Sequence, residues 1–198
     1  PMPPDLPFTQ AAAIPLAALT ALQALRDLLK VQPGHRVGLH GASGGVGVFA
    51  VQIAKALGAH VTATSSAAHH ALLRELGADA TLDYREADLF DHGPFDGLFD
   101  IFGNRRFAEA RRALRPAGVY VNTVPEPRIV GEHLRTRLAR GQRARLVVVK
   151  SRAADLQALA AMVVAGQLRA VVDRVLPLEQ AADAHRRLET KRTRGKVV

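Results

Sequence analysis

The residues best suited to chemistry sit in one short turn, Gly41-Ala42-Ser43-Gly44-Gly45-Val46-Gly47. An apolar, strand-like run (36–40) precedes it. Residues 45–57 follow with helical spacing, Val46, Phe49, Ala50, Ile53 and Leu57 sharing one face. A glycine-rich turn between a strand and a helix can grip a diphosphate. Gly44, without a Cβ, lets the backbone approach the phosphates, and Gly47 lets the helix pack tightly on the sheet. Ser43, Gly45 and Val46 stand at the start of that helix, where unpaired amides and the positive dipole end face an anion. Ala42 departs from the G-x-G-x-x-G pattern, taking the place of its first glycine.

What binds at the other end of a dinucleotide depends on the next strand, 60–64. An acid about 20 residues beyond the glycines bonds the ribose hydroxyls of NAD. Here that place holds Thr64-Ser65-Ser66-Ala67-Ala68-His69-His70, with no carboxylate. Ser65, Ser66 and His69 offer hydroxyls and an imidazole, which can bond a 2′-phosphate that an acid would repel. The expected cofactor is NADPH in preference to NADH.

These residues need a scaffold, and the rest of the chain supplies its signals. Strand-like runs occur at 36–40, 60–64, 80–83, 95–102, 119–123 and 146–149. Helical patterns fill 45–57, 67–76, 105–114, 128–140 and 153–165, and residues 11–25 read as a buried helix. Each link is long enough for a crossover helix, which makes the strands parallel. The reading is an α/β, doubly wound (Rossmann) sheet of about six parallel strands with helices on both faces. Two further short strands, 170–176 and 196–198, flank a helix at 178–188.

Composition removes several alternatives. The chain has 198 residues, 48% hydrophobic and 23% charged, a balance that supports a globular core. No apolar run reaches the roughly 20 residues of a membrane span, so no membrane partner is expected. The net charge of +9 raises nucleic acid as a partner, but aromatics are only 5% and the basic residues are spread along helices. The exception is Arg135, Arg137, Arg140, Arg143 and Arg145, a local cluster that a solvated helix face and turn explain. No nucleic acid is expected. With no cysteine there is neither disulfide nor thiolate ligand, and the eight histidines show no ligand spacing with carboxylates. No metal is expected, and the default location is cytoplasmic.

Beyond these motifs, the chain resembles the medium-chain dehydrogenase/reductase superfamily, and within it the zinc-independent quinone oxidoreductase, or ζ-crystallin-like, branch. The resemblance rests on the apolar stretch 11–25, on Gly41 to Gly47, on Leu73-Arg-Glu-Leu-Gly-Ala-Asp79, and on Asp83-Tyr84. It continues in Val171-Val-Asp-Arg-Val-Leu-Pro-Leu-Glu-Gln180 and Thr193-Arg-Gly-Lys-Val-Val198. It implies that Thr20 lies near the nicotinamide and that Phe102 lines the same side. It also implies that Ser65, His69 and Tyr84 meet the 2′-phosphate, with His69 in place of a lysine common there. Leu16 stands where zinc-dependent relatives carry a cysteine ligand.

The same resemblance implies a division of the chain. Residues 1–30 are a lead segment and helix from the hinge to a missing N-terminal domain, 31–165 the NADPH-binding domain, and 166–198 a tail returning toward the missing catalytic domain. The implied activity is hydride transfer to a quinone, enone or alkenal, with no acid or base nominated in this chain. Two alternatives stand beside it, a non-catalytic nucleotide-binding module and the enoyl-reductase unit of a multidomain synthase. A homodimer is expected through the apolar edge Leu146-Val147-Val148-Val149, since an unpaired edge invites another copy.

Overall fold

A computed structural model describes residues 3–137, 140–190 and 192–198. Its centre is a parallel sheet of β1 (Arg36–His40), β2 (His60–Ser65), β3 (Ala80–Asp83), β4 (Phe95–Asp100), β5 (Leu114–Asn122) and β6 (Arg143–Leu146). The spatial order is β3-β2-β1-β4-β5-β6. Val37 of β1 pairs with Val61 on one side and Gly97 on the other. The order reverses between β1 and β4, and such a reversal opens a crevice at the carboxyl ends of the strands.

Burial on both faces explains the apolar strands. Val119 and Val121 of β5 join one core cluster with Val37, Leu39 and Phe99, while Tyr120 joins another with Phe95, Leu98 and Ala144. The first face is covered by α2 (Pro15–Leu22), α3 (Gly47–Ala56) and α7 (Ala153–Val164). Residues 17–22 of α2 and 47–54 of α3 are buried on every side, as expected of helices wedged between a sheet and other helices. A short α1 (Phe8–Ala13) precedes α2, which continues as a π-helical turn over Gln23–Leu28. The buried helix read at 11–25 is thus a broken one. Pro15 opens its second part, at a position where the missing amide costs nothing.

The π-helical turn is tied to α7 by a polar lock. Gln23 donates to Asp155 (2.8 Å) and to the Lys150 carbonyl, and Arg26 donates to Asp155 (2.8 Å). Burial raises the Asp155 pKa, but the bonds from Arg26 and Gln23 outweigh it and hold the carboxyl below its ordinary value.

Shorter elements complete both layers. A 3₁₀ turn (Ala67–His69) leads into α4 (His70–Glu75), whose Leu73 joins the first core cluster, while α5 (Phe107–Ala110) lies on the other face and passes through a second 3₁₀ turn into β5. The expected helices at 67–76 and 105–114 are therefore each split. The expected helix at 128–140 is α6 (Pro127–Arg135), and Leu138 and Ala139 lie outside the described residues.

The sixth strand is displaced from its expected position. It spans Arg143–Leu146, and only Val147 of the valine run still bonds β5, through its amide to Asn122. Val148 is exposed, and the Lys150 main chain is taken by Gln23. The apolar run was the stronger sequence signal, but Ala144 fills the core position and the arginine stems flank it. Nor is the edge left open. The outward amides of Ala144 and Leu146 donate to Thr136 Oγ1 (2.9 Å) and His133 Nδ1 (3.1 Å). Side chains from α6 and the turn after it therefore cover the edge.

This cover carries a pH dependence. Burial, then Arg145 and Arg137, hold the His133 pKa below its ordinary 6.5. Burial and Arg194 do the same for His69, against an opposing pull from Asp173. A histidine pKa depressed by folding contributes stability that is complete above the unfolded value and lost as pH falls below it. Melting temperature should therefore drop between pH 7.5 and 5.5, and His133→Gln should flatten that slope. An unchanged slope in the variant would clear His133 of the role.

The tail forms its own small unit. β7 (Val172–Arg174) and β8 (Lys196–Val197) pair in parallel, with α8 (Ala181–Glu189) between them in sequence. Asp173 holds the unit together, accepting from Arg187 (2.9 Å) and from the Arg194 amide.

Candidate cofactor cleft

At the carboxyl ends of β1, β2 and β4 lies a cleft of about 580 Å³, and a smaller lobe of about 320 Å³ continues from it. Gly41, Gly44, Phe102 and Thr193 line both spaces. The glycine turn forms the floor. Gly41 and Ala42 are pinned to β2, their amides donating to Thr64 Oγ1 (3.2 Å) and the Thr64 carbonyl (2.9 Å). Beyond them, α3 begins. Its first internal bonds run from Val48 to Gly44 and from Ala50 to Val46. Among the described residues, the amides of Val46 and Gly47 have no acceptor in the chain, while that of Gly45 faces the Gly195 carbonyl across the bridge to the tail. The first two are the donors that the start of a helix leaves for an anion.

The glycines divide the work. A Cβ on Gly47 would stand 2.5 Å from the Ala42 carbonyl carbon and 2.6 Å from its Cα, so the helix meets the turn backbone to backbone. A Cβ on Gly44 would meet only the Gly41 carbonyl oxygen, at 3.6 Å, and that position opens to the cleft.

The far wall of the cleft comes from the loop after β4, held by a buried carboxylate. Asp100 accepts from the amides of Gly103 (2.8 Å) and Arg105 (2.9 Å) and from the Tyr120 hydroxyl (2.8 Å). Burial, then Asp100, raise the Tyr120 pKa, so the phenol keeps the proton that it donates. Phe102 stands half exposed on this loop, edge-on to His40 with ring centroids 6.5 Å apart.

At the β2 end, Ser65 and Tyr84 line the cleft. The Ser65 hydroxyl donates to the Ser66 carbonyl (2.9 Å), and Arg85 lies over the Tyr84 ring. A carboxylate does stand behind this niche. Asp83, paired with Ser65 in the sheet, accepts from the amides of Ala67 and Arg85 (both 3.0 Å). The Arg85 amide outweighs burial, and the Asp83 pKa falls below its ordinary value. Both oxygens are turned into the loop that they hold.

The tail closes the site from above. The Gly195 amide donates to the Ser43 carbonyl (3.0 Å), and Gly44 and Gly195 form a parallel bridge. This docking brings Thr190, Arg192 and Thr193 to the main cleft and Lys196 to the smaller lobe. The Lys196 ammonium lies 3.7 Å from where a Gly45 Cβ would be. Among the described residues, neither Arg192 nor Lys196 has a carboxylate partner, whereas Arg105 is paired with Asp88 and Glu109.

Of the expected site residues, Ser43, Gly44, Ser65, Tyr84 and Phe102 line the main cleft, and Gly44, Gly45, Val46 and Phe102 line the smaller lobe. Gly47 supports them from behind. Thr20, Ser66 and His69 line neither. Thr20 is buried in α2 and donates back to the Leu16 carbonyl (2.7 Å), and His69 lies within electrostatic reach of Arg194 and Asp173 of the tail. Arg192, Thr193 and Lys196 went unrecognised as site residues. The only local hint is Gly195, whose purpose shows once the tail lies on the turn.

A doubly wound sheet with a glycine turn at its switch point defines a dinucleotide-binding domain. Comparison with known proteins narrows the class. The family model described as zinc-binding dehydrogenase matches residues 76–198. The chain belongs to this family, within the medium-chain dehydrogenase/reductase superfamily, and fits its cofactor-binding domain. It is 33% identical to the trans-enoyl reductase pgmF of Aspergillus terreus, covering 100% of this chain and 60% of that protein. It is 36% identical to the spectinabilin polyketide synthase system protein NorB of Streptomyces orinoci, covering 100% of this chain and 10% of that one. Among solved structures, the quinone oxidoreductase from Coxiella burnetii superposes with a TM-score of 0.88 at 34% identity, over 98% of this chain and 61% of that one. The chain thus spans about three fifths of curated relatives such as pgmF.

Zinc, which the family description invokes, finds no fit here. The sequence has no cysteine, and among the described residues no three His, Asp or Glu side chains cluster as ligands.

Proposed function

We propose that this chain holds NADPH for an oxidoreductase that passes hydride to a quinone, enone or alkenal. The observation that carries the reading is the pair of unpartnered amides, Val46 and Gly47, at the helix start on the glycine turn, with Arg192 and Lys196 above it. Bound NADPH supplies the hydride; the protein positions it and keeps water away. In this reading the amides of Val46 and Gly47 and the Lys196 ammonium hold the diphosphate. Ser65 and Tyr84 border the 2′-phosphate, and Arg192 neutralises it. Phe102 flanks the nicotinamide.

Fluorescence titration of the chain with each reduced cofactor tests the choice, and NADPH should bind more tightly. NADH binding equally well would remove the 2′-phosphate from the reading. The reaction itself is tested by NADPH oxidation with quinones and enones in the longest reading frame that contains this chain. An enoyl-reductase unit of a multidomain synthase is the second reading, favoured by the NorB match. Acyl-carrier or ketosynthase sequence beside this chain would support it. We also infer that any dimer joins beyond the covered part of β6, at the exposed Val148. Sedimentation as a monomer at high concentration would refute that.

A further inference from the structure

The arginine cluster in the sequence finds no role in the cofactor cleft, and its place in the fold suggests another. At the opposite end of the sheet, a second cleft of about 600 Å³ opens between the end of the π-helical turn, the start of β5 and the face of β6. Lys30, His35, Arg115, Arg143 and Arg145 line it, with Asp27 and Asp96 as the acidic members. Both carboxylates are already engaged. Asp27 pairs with Arg26 (2.6 Å) and Arg152 (3.3 Å), and Asp96 pairs with Arg115 (3.0 Å) and accepts the Arg36 amide (2.8 Å). Among the described residues, no carboxylate comes within ion-pair distance of Lys30, Arg143 or Arg145.

Three cations are therefore gathered without a counter-ion, on fixed elements. Arg143 and Arg145 lie two positions apart on β6 and point to the same side of the sheet. Among the described residues, Arg145 is bonded through one terminal nitrogen, Nη1, to the Ala144 carbonyl and Thr136. Burial and the neighbouring Arg143 and Arg137 press on its charge, a strain that an anion would relieve. Lys30 faces them from the other wall in a left-handed conformation (φ +53°), which side chains bearing a Cβ seldom adopt.

We propose that this cleft is a binding site for a small phosphate ester, separate from the cofactor cleft. Two guanidinium forks and an ammonium offer only donors, and that set matches a phosphate dianion. The apolar wall of Leu28, Pro116 and Ala117 gives an organic body somewhere to lie. This site stands or falls independently of the cofactor reading, because it lies at the other end of the strands.

Nuclear magnetic resonance of the ¹⁵N-labelled chain, titrated with inorganic phosphate at constant ionic strength against chloride, tests it. The amides of Lys30, Gly118, Arg143 and Arg145 should shift along one saturable curve, distinct from any curve at Gly44–Gly47. Lys30→Gln and Arg145→Gln should each weaken the first curve about ten-fold and leave the second alone. The exposed Lys30 decides the matter if the Arg145 variant fails to fold. The proposal is overturned if these amides do not saturate, if both variants bind as before, or if chloride produces the same shifts. A DNA duplex that shifts the same amides and is not displaced by phosphate would also overturn it, in favour of nucleic acid.

Discussion

Replacing Gly47 with alanine should destabilise the chain by about 3 kcal/mol, the upper range for forcing an extra carbon into a packed site. The new Cβ meets the carbonyl carbon and Cα of Ala42, at 2.5 and 2.6 Å. These are backbone atoms, and Ala42 is itself fully buried with its amide bonded to β2. No side chain can rotate away, so relief requires α3 to lift off the sheet. For a domain of this size the loss corresponds to a fall in melting temperature of about 10 °C. Gly44→Ala is the matched control, since its Cβ meets nothing closer than 3.6 Å and should leave melting nearly unchanged. Similar melting of the two variants would show that Gly47 is not a packing glycine.

That contrast marks what could be read from the sequence. The turn, β1, α3 and β2 are contiguous, and the pattern of apolar strand, glycines and helix is enforced by local geometry. The division between Gly44, which faces open space, and Gly47, which faces backbone, follows from the pattern and holds in the fold. The alternation of strands and helices likewise revealed the parallel sheet, because each crossover leaves its own periodicity.

Longer-range arrangements left weaker traces. The valine run at 147–149 is more strand-like than Arg143-Ala144-Arg145-Leu146, yet the sheet takes the latter, since pairing with Val119 to Asn122 sets the register. Thr20 turns its hydroxyl to its own helix, a bond that any threonine in a helix can make and that composition cannot foresee. Asp100 reads as one polar residue in a strand, and only its three close donors reveal that it shapes the cleft wall. Hardest to read was the return of the tail. Gly195 can dock there because it adopts φ +81° and because a Cβ would stand 2.9 Å from Val171. Nothing near it in sequence names Ser43 as its partner.

The tail's docking gives the largest expected effect on binding. Lys196→Glu should weaken binding of the reduced nicotinamide cofactor by about 100-fold, close to 2.7 kcal/mol. One charge-assisted bond to a phosphate is lost, and a like charge is placed against it. The lysine stem lies over Gly45 and the residue is only partly buried, so melting temperature should change little. Lys196→Gln, which removes charge without reversing it, should cost about ten-fold and reduce the salt dependence of binding. The ordering matters more than either value. A lysine that merely packs over the turn would make Gln and Glu equivalent, whereas one that holds a diphosphate separates them. Equal affinities in the wild type and the Glu variant, measured by fluorescence titration at low salt, would place the diphosphate somewhere other than beneath this ammonium.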